Sequence, residues 1–290
     1  RRELKTPYLN FIGMPSMGEG LDVMLKAGAK DWDATPLLHA CQLAESTVAK
    51  ESSSEHLAGY SSSALTWLLQ SPLLWVDGEG SRFVNEDVVY DTAFWANAAY
   101  AAGGRYFIVV DQATLDSYTN GDTLRLSYSG PGPSKEGGNL TELAELAVQG
   151  KTAWKGNTLS ELASAVGFGE SSFADSVGRY NTMVAQKRDT DYGKSAKSLR
   201  FGVSAGPFYA FDCRAVFLGT IGGVKVDEKL RVLDVASYKP IPGLFAAGTN
   251  AGGYYAGRGY PPYEGLACGF AWTSGRIAGE SAASYAKGAK

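Results

Sequence analysis

The residues best suited to chemistry crowd into one stretch near the end of the chain. From residue 254 to 265 it reads Tyr254-Tyr255-Ala256-Gly257-Arg258-Gly259-Tyr260-Pro261-Pro262-Tyr263-Glu264-Gly265. A guanidinium can receive developing negative charge, a phenol can donate a hydrogen bond or a proton, and glycines let backbone approach a ligand closely. Arg258, Tyr260 and Tyr263 are therefore candidate reacting groups. The flanking elements suit such a loop. Residues 244–247 are a short apolar run between Pro242-Gly243 and Gly248, which predicts a buried strand. From Leu266 a helix is expected whose faces carry Gly269, Ala271, Gly275, Ala278, Gly279, Ala282 and Ala283. Glycine costs about 1 kcal/mol relative to alanine inside a helix, so three of them point to a backbone pressed against something flat. Strand, glycine loop and small-faced helix together make a site for a planar ligand at a helix N-terminus, where unpaired N–H groups and the dipole favour negative charge.

Other elements must hold that site in place. Gly18-Glu19-Gly20 leads into an apolar-periodic segment, residues 21–27, that Gly28 ends, the pattern of a glycine-stopped helix. Residues 74–76 and 82–84 flank Asp77-Gly78-Glu79-Gly80 and predict a hairpin. Asn85-Glu86-Asp87 should then cap a helix over residues 88–102. Residues 105–111 form a buried strand, residues 116–138 a long irregular connection, and Thr158 with Glu161 a capping box. An amphipathic helix is expected over 173–187, and a hairpin over 224–232.

At 290 residues and 44% hydrophobic, with no apolar run long enough to span a bilayer, the chain reads as globular with ample core. Its formal net charge of −3, with Lys and Arg scattered, argues against nucleic acid or an anionic membrane surface as partner. Three distant cysteines imply no disulfide framework, and with two histidines there is no zinc spacing, so no metal site is assigned. The N-terminus has no apolar segment of the signal-peptide kind; the compartment stays open.

Residues 241–253 (IPGLFAAGTNAGG) followed by 275–283 (GRIAGESAA) resemble the C-terminal FAD-binding segment of the fumarate reductase/succinate dehydrogenase flavoprotein family, which includes 3-ketosteroid dehydrogenases and urocanate reductases. Residues 10–29 resemble that family's glycine-bearing segment before a helix ending in Gly-Ala. Residues 73–91 resemble its capping-domain signature, a hairpin followed by Arg-Phe-x-Asn-Glu. The three stand in the family's order and cover nearly the whole chain.

The resemblance implies a mixed α/β and α+β architecture: a partial FAD-binding, Rossmann-like domain (residues 1–32 and 206–290) with an inserted α+β capping domain (33–205). It implies FAD as cofactor, with Gly18, Gly20, Gly222, Gly223, Gly248, Thr249, Asn250, Gly265, Leu266 and Ala267 near it. The family's opening G-x-G-x-x-G turn for the pyrophosphate is not found. The chain is therefore expected to lack an N-terminal FAD-binding portion and, alone, to bind FAD weakly or not at all.

For the reaction, the resemblance implies hydride transfer between flavin and an activated C=C or C–C bond of a small organic substrate, with an electron donor that stays unidentified. The family's proton-donating arginine, four residues after the motif's Glu, is replaced by Tyr90. The histidine before its Thr-x-Gly-Gly turn is absent at residues 217–219, while His39 falls within a residue of a family histidine that touches substrate. Those departures argue against fumarate itself and towards an enoate, enone or steroid-like substrate. Tyr90 or Tyr263 is expected as general acid, with Arg258 and Tyr260 receiving charge. The Tyr260-Pro261 loop also leaves open a 3-ketosteroid dehydrogenase-like desaturase. A non-catalytic ligand-binding domain that kept the scaffold is the alternative of a different class.

Overall fold

In a computed structural model of the chain, residues 9–10, 18–32, 35–43, 64–124, 139–253 and 265–288 are described, and the structure below concerns those residues. They mix helices and sheet. In chain order come β1 (Leu9–Asn10), α1 (Glu19–Lys26), β2 (Thr35–Leu43), α2 (Ala64–Leu69), β3 (Leu74–Val76), a 3-10 turn (Glu86–Tyr90), α3 (Thr92–Ala101) and β4 (Arg105–Asp111). There follow α4 (Gln112–Thr119), α5 (Leu140–Gln149), β5 (Ala153–Gly156), α6 (Leu159–Val166), α7 (Glu170–Gln186) and β6 (Phe208–Ile221). Last are β7 (Arg231–Leu233), β8 (Pro240–Phe245), a second 3-10 turn (Gly248–Asn250) and α8 (Leu266–Ala286). The chain divides into two compact units, residues 1–5, 10–38 and 217–290 in one, residues 6–9 and 39–216 in the other.

The second unit is built on β4. Its sequence, Arg-Tyr-Phe-Ile-Val-Val-Asp, is buried from the second residue onward, as a strand covered on both faces must be. β6 pairs antiparallel with β4 from Arg105↔Arg214 to Asp111↔Phe208, and β3 lines the other edge of β4. Sheet order is β1-β6-β4-β3, with β2 and β5 also paired to β6. On one face, Leu74, Val76, Phe107 and Val109 pack with Leu162, Phe173, Val177 and Tyr180 of α6 and α7. The alternate residues Trp75 and Tyr106 meet with ring centroids 4.4 Å apart, and Trp95 Nε1 donates to the Tyr106 hydroxyl at 2.9 Å. Period-2 alternation thus feeds two cores, one on each face of the sheet.

In the first unit, Met24, Ala29, Val224, Val232, Ala246 and Ala251 form a small core. The β7–β8 pair is antiparallel. Gly28, at φ 92°, ends α1 as expected from the sequence.

Three local expectations are corrected. The helix expected over 88–102 is broken: Glu86–Tyr90 is a 3-10 turn, Asp91 is extended, and α3 begins at Thr92. Asp91 Oδ1 accepts the Phe94 N–H at 3.1 Å, so an N-cap sits inside what read as one helical pattern. Residues 112–119, whose second half was read as loop, are helical because Asp111 caps them, accepting the Thr114 N–H at 3.0 Å. The strand expected at 244–247 runs instead from Pro240 to Phe245 and is only half-buried, with Pro242 and Gly243 exposed. The capping box at Thr158 holds in modified form: Thr158 accepts the Glu161 N–H at 3.1 Å, while Glu161 reaches the N–H of Asn157 at 2.7 Å.

Candidate functional site

Within the first unit, three stretches far apart in sequence meet around one residue, Asn250. The 3-10 turn Gly248–Asn250 follows β8. Its first residue is held from below: the Gly248 N–H donates to Oγ of Ser274, itself 2% exposed, at 2.9 Å, and that hydroxyl donates to the Ala271 carbonyl at 3.2 Å. Thus α8 supports the turn through a buried serine. The last residue, Asn250, accepts the Val224 N–H through its carbonyl at 2.9 Å. A Cβ on Gly223, whose φ is 110°, would overlap that carbonyl oxygen and lie 3.0 Å from the Thr249 carbonyl. A Cβ on Gly20 would lie 2.8 Å from Asn250 Nδ2. Gly223 is there because the Asn250 backbone carbonyl comes too close for any side chain, whereas a side chain at Gly20 would have to displace the Asn250 amide.

Of the cofactor-binding candidates, Gly20, Gly223, Gly248, Thr249 and Asn250 are accordingly brought together, with Gly18 and Gly222 beside them in sequence. Gly265, Leu266 and Ala267 open α8, whose third turn holds Gly248. Among the reacting groups, Tyr90 is the half-buried last residue of the first 3-10 turn, in the second unit. His39 lies in β2, its side chain outside the described residues; Arg258, Tyr260 and Tyr263 also lie outside them.

Two observations bear on whether these residues suit a flavin nucleotide. Helices α1 and α8 both start from a left-handed glycine, Gly18 (φ 86°) and Gly265 (φ 79°), and neither has a side-chain cap. The two ends differ in charge: α1 carries Glu19 and Asp22 in its first turn, α8 no acid. An electron-rich or anionic edge therefore suits α8, and a neutral hydrogen-bonding group suits α1. Along α8, side chains built at Gly269, Gly275 and Gly279 would meet nothing within 4 Å, and Trp272 is 79% exposed. A long apolar helix with only Ser274 and Ala278 buried presents a small-residue surface that a flat molecule or further backbone can approach. The residues fit FAD.

Sequence reasoning missed a densely connected polar cluster among the described residues. In the second unit, Glu86 is fully buried and accepts Arg82 Nε at 2.8 Å, Arg82 Nη2 at 2.7 Å and the Trp75 N–H at 3.3 Å. Arg82 also donates to both oxygens of Asp189, at 3.0 and 2.7 Å. Lys194 lies 3.3 Å from Glu86 and donates to the Tyr180 hydroxyl at 2.8 Å. Two cations and two carboxylates balance. Arg82 and Glu86 belong to the Arg-Phe-x-Asn-Glu signature, but their partners lie about 107 residues away in a polar segment, Asp189-Thr190-Asp191-Tyr192-Gly193-Lys194, with no periodicity to advertise it.

The cluster gives the chain a predictable pH response. Burial alone would raise the Asp189 carboxyl, but Arg82 and the N–H groups of Lys194, Tyr192 and Asp191 hold it well below its ordinary 3.8. Burial alone would lower Lys194, but Glu86 and Tyr180 keep its ammonium above its ordinary 10.5. A depressed carboxyl stabilises above its unfolded pKa and loses that contribution as pH falls through the folded value; a raised amine stabilises below its unfolded pKa and loses it as pH rises. The urea midpoint is therefore expected to be flat between about pH 5 and 9 and to fall steadily below about pH 4. A midpoint unchanged down to pH 2 would contradict the assignment.

Comparison with known proteins places the chain. The family model described as "FAD binding domain" matches residues 12–260, and the chain belongs to that family. It is 31% identical over 275 residues to the vinyl phenol reductase of Lactiplantibacillus plantarum, a match covering 92% of this chain and 53% of that protein. It is 30% identical over 213 residues to the fumarate reductase (cytochrome) of Shewanella frigidimarina, covering 73% of this chain and 32% of that protein. Among solved structures it resembles the 3-ketosteroid delta1-dehydrogenase from Sterolibacterium denitrificans, with a TM-score of 0.65 at 21% identity over 96% of this chain and 48% of that one. At that identity the likeness is one of fold. The chain spans about half the length of the vinyl phenol reductase and less of the fumarate reductase. FAD is the cofactor of the family, and among the described residues no helix is long and apolar enough to cross a membrane.

Proposed function

We propose that this chain supplies the substrate-capping portion and the C-terminal part of a Rossmann-like FAD-binding portion of a flavin-dependent oxidoreductase acting on a C=C or C–C bond. The observation that carries the reading is the meeting of the α1 start, the Gly222-Gly223 turn and the Gly248–Asn250 turn around Asn250. These are the segments that the family resemblance puts near the cofactor. Bound FAD supplies the hydride chemistry. The chain's own residues then have separate tasks. Gly18, Gly20, Gly222 and Gly223 admit the cofactor close to backbone, and Gly248, Thr249 and Asn250 line it from the turn. Gly265, Leu266 and Ala267, at the positive end of the α8 dipole, lie against its electron-rich edge. Arg258 and Tyr260 receive the negative charge that develops on the substrate oxygen. Tyr90 or Tyr263 delivers the proton to carbon, a contribution of about 10²–10⁴ in rate when well placed. His39 borders the substrate.

The substrate class follows from what stands at residue 90. A neutral phenol in place of a guanidinium disfavours a dicarboxylate, and the relative matching 92% of this chain is named a vinyl phenol reductase. A small, weakly anionic alkene, with vinylphenols among the first to try, is the substrate we favour. The electron donor is a separate reductant.

We further propose that the chain alone holds FAD weakly and that an N-terminal dinucleotide-binding portion completes the site. The test is a flavin titration, followed by absorbance and fluorescence, of the chain alone and of a polypeptide that carries the N-terminal portion of the vinyl phenol reductase ahead of it. The longer protein is expected to be yellow, to bind FAD at least about 100-fold more tightly, equivalent to roughly 2.7 kcal/mol, and, once reduced anaerobically, to be reoxidised by 4-vinylphenol. A colourless longer protein that folds would sink the reading.

A further inference from the structure

The 3-10 turn Glu86–Tyr90 is capped by Asn85, whose side chain accepts the Asp87 N–H at 2.9 Å, and is tied to the rest of its unit by further contacts. A 3-10 run has poor hydrogen-bond geometry and rarely persists unaided. Here the turn is closed by Val88 N–H to Asn85 O at 3.1 Å and Asp91 N–H to Val88 O at 3.0 Å. Its position comes from elsewhere. Residues 189–198 lie across its first two residues and grip each of them separately. Lys194 Nζ sits 3.3 Å from Glu86, and the Ser195 N–H donates to Asp87 Oδ2 at 2.8 Å. The gripping segment is itself tied down, since Asp189 accepts the N–H groups of Asp191, Tyr192 and Lys194 at 2.9, 3.1 and 2.9 Å and also binds Arg82. The Tyr192 hydroxyl returns to the Arg82 carbonyl at 3.0 Å. Lys194 is where these ties converge: its backbone reaches Asp189, and its fully buried side chain reaches Glu86 and the Tyr180 hydroxyl. Asp87 Oδ1 is buried with no hydrogen-bond partner, so the carboxylate is held through its other oxygen, by that same segment.

We propose that Lys194 is a positioning residue: through Glu86 and the 189–198 segment it sets the place of the 3-10 turn, and hence of Tyr90 at its far end. This rests on the reading in which Tyr90 handles a proton. It adds that the phenol's aim is governed by a buried ammonium in a segment distant in sequence. Residues on the turn itself contribute no charge that could do this, because Glu86 and Asp87 are both anions that need an outside donor.

The experiment uses the FAD-loaded protein in which an N-terminal dinucleotide-binding portion is joined ahead of this chain, as wild type, Lys194→Met, Lys194→Arg, Tyr90→Phe and the Tyr90→Phe/Lys194→Met pair. Two readouts are taken: kcat and KM for alkene reduction, and amide hydrogen exchange. Lys194→Met is expected to lower kcat about 10-fold with KM little changed, since a misplaced reacting group costs rate steeply. Lys194→Arg should restore most of that loss. In the Tyr90→Phe background Lys194→Met should cost little more, because both changes then remove one and the same contribution. Exchange should quicken at residues 86–91 while the strands keep their protection. Losses that multiply in the double variant, or exchange that quickens evenly through residues 39–216, would overturn the proposal in favour of a general structural role. If Tyr90→Phe turns over like wild type, the acid assignment fails. The positioning of the turn is then decided by exchange alone, with unchanged protection at 86–91 counting against it.

Discussion

Arg82→Met is expected to destabilise the chain by about 3–5 kcal/mol, the usual cost of removing one partner from a buried ion pair. The reason is what stays behind. Glu86 and Asp189 have side chains 0% exposed, and Arg82 supplies five donor contacts to the cluster, counting its weak one to the Met183 sulfur. Methionine fills much of the volume of the stem but satisfies neither carboxylate. Lys194 could move towards Glu86, yet it cannot also serve Asp189 with a two-pronged grip. The guanidinium is also flanked by aromatic rings, 5.3 Å from the Tyr180 centroid and 5.1 Å from that of Tyr192, so desolvation is thorough. Burial alone would pull its pKa down; the bonds to Glu86 and Asp189 outweigh this and push it up. Urea unfolding followed by tryptophan fluorescence checks the figure. A loss under about 1 kcal/mol would place the cluster with surface ion pairs, which are worth that little.

Gly223→Ala should damage the other unit about as severely, for a different reason. At φ 110° an L side chain is strained by about 1–3 kcal/mol. The new methyl would also have to displace the backbone carbonyl of Asn250, which bonds to the Val224 N–H and cannot swing aside as a side chain would. Overpacking of that kind costs about 1–3 kcal/mol more. Because the carbonyl belongs to the Gly248–Asn250 turn, the turn must shift, and flavin affinity in the FAD-loaded protein is expected to fall at least about 10-fold, or 1.4 kcal/mol. Gly178→Ala, in α7 of the second unit, is the informative control. Its new methyl meets nothing within 4 Å, and alanine favours the helix by about 1 kcal/mol. If flavin affinity survives Gly223→Ala unchanged while stability drops, the turn is scaffold and the cofactor lies elsewhere.

How much of this was readable beforehand depends on the range of the interaction concerned. The helix over Leu266–Ala286 and the strand at Arg105–Asp111 announced themselves, because periodicity and propensity act between neighbours in sequence. The breaks at Asp91 and Asp111 were also written locally, as aspartates that cap the following helix, but a longer helical or polar pattern masked them. Glycines were legible as a class and not by partner: nothing near Gly20 or Gly223 in sequence names Asn250 as the group each must admit.

By itself, then, the sequence determined most of the element types and the family, since these follow from local backbone preference and from motifs in fixed order. Tertiary structure alone decided that Ser274 carries Gly248, that Asn250 sits between two glycines, and that Lys194 and Asp189 meet Arg82 and Glu86. The physical reason is that a buried charge or polar group must find its partner in space, wherever the chain happens to supply it.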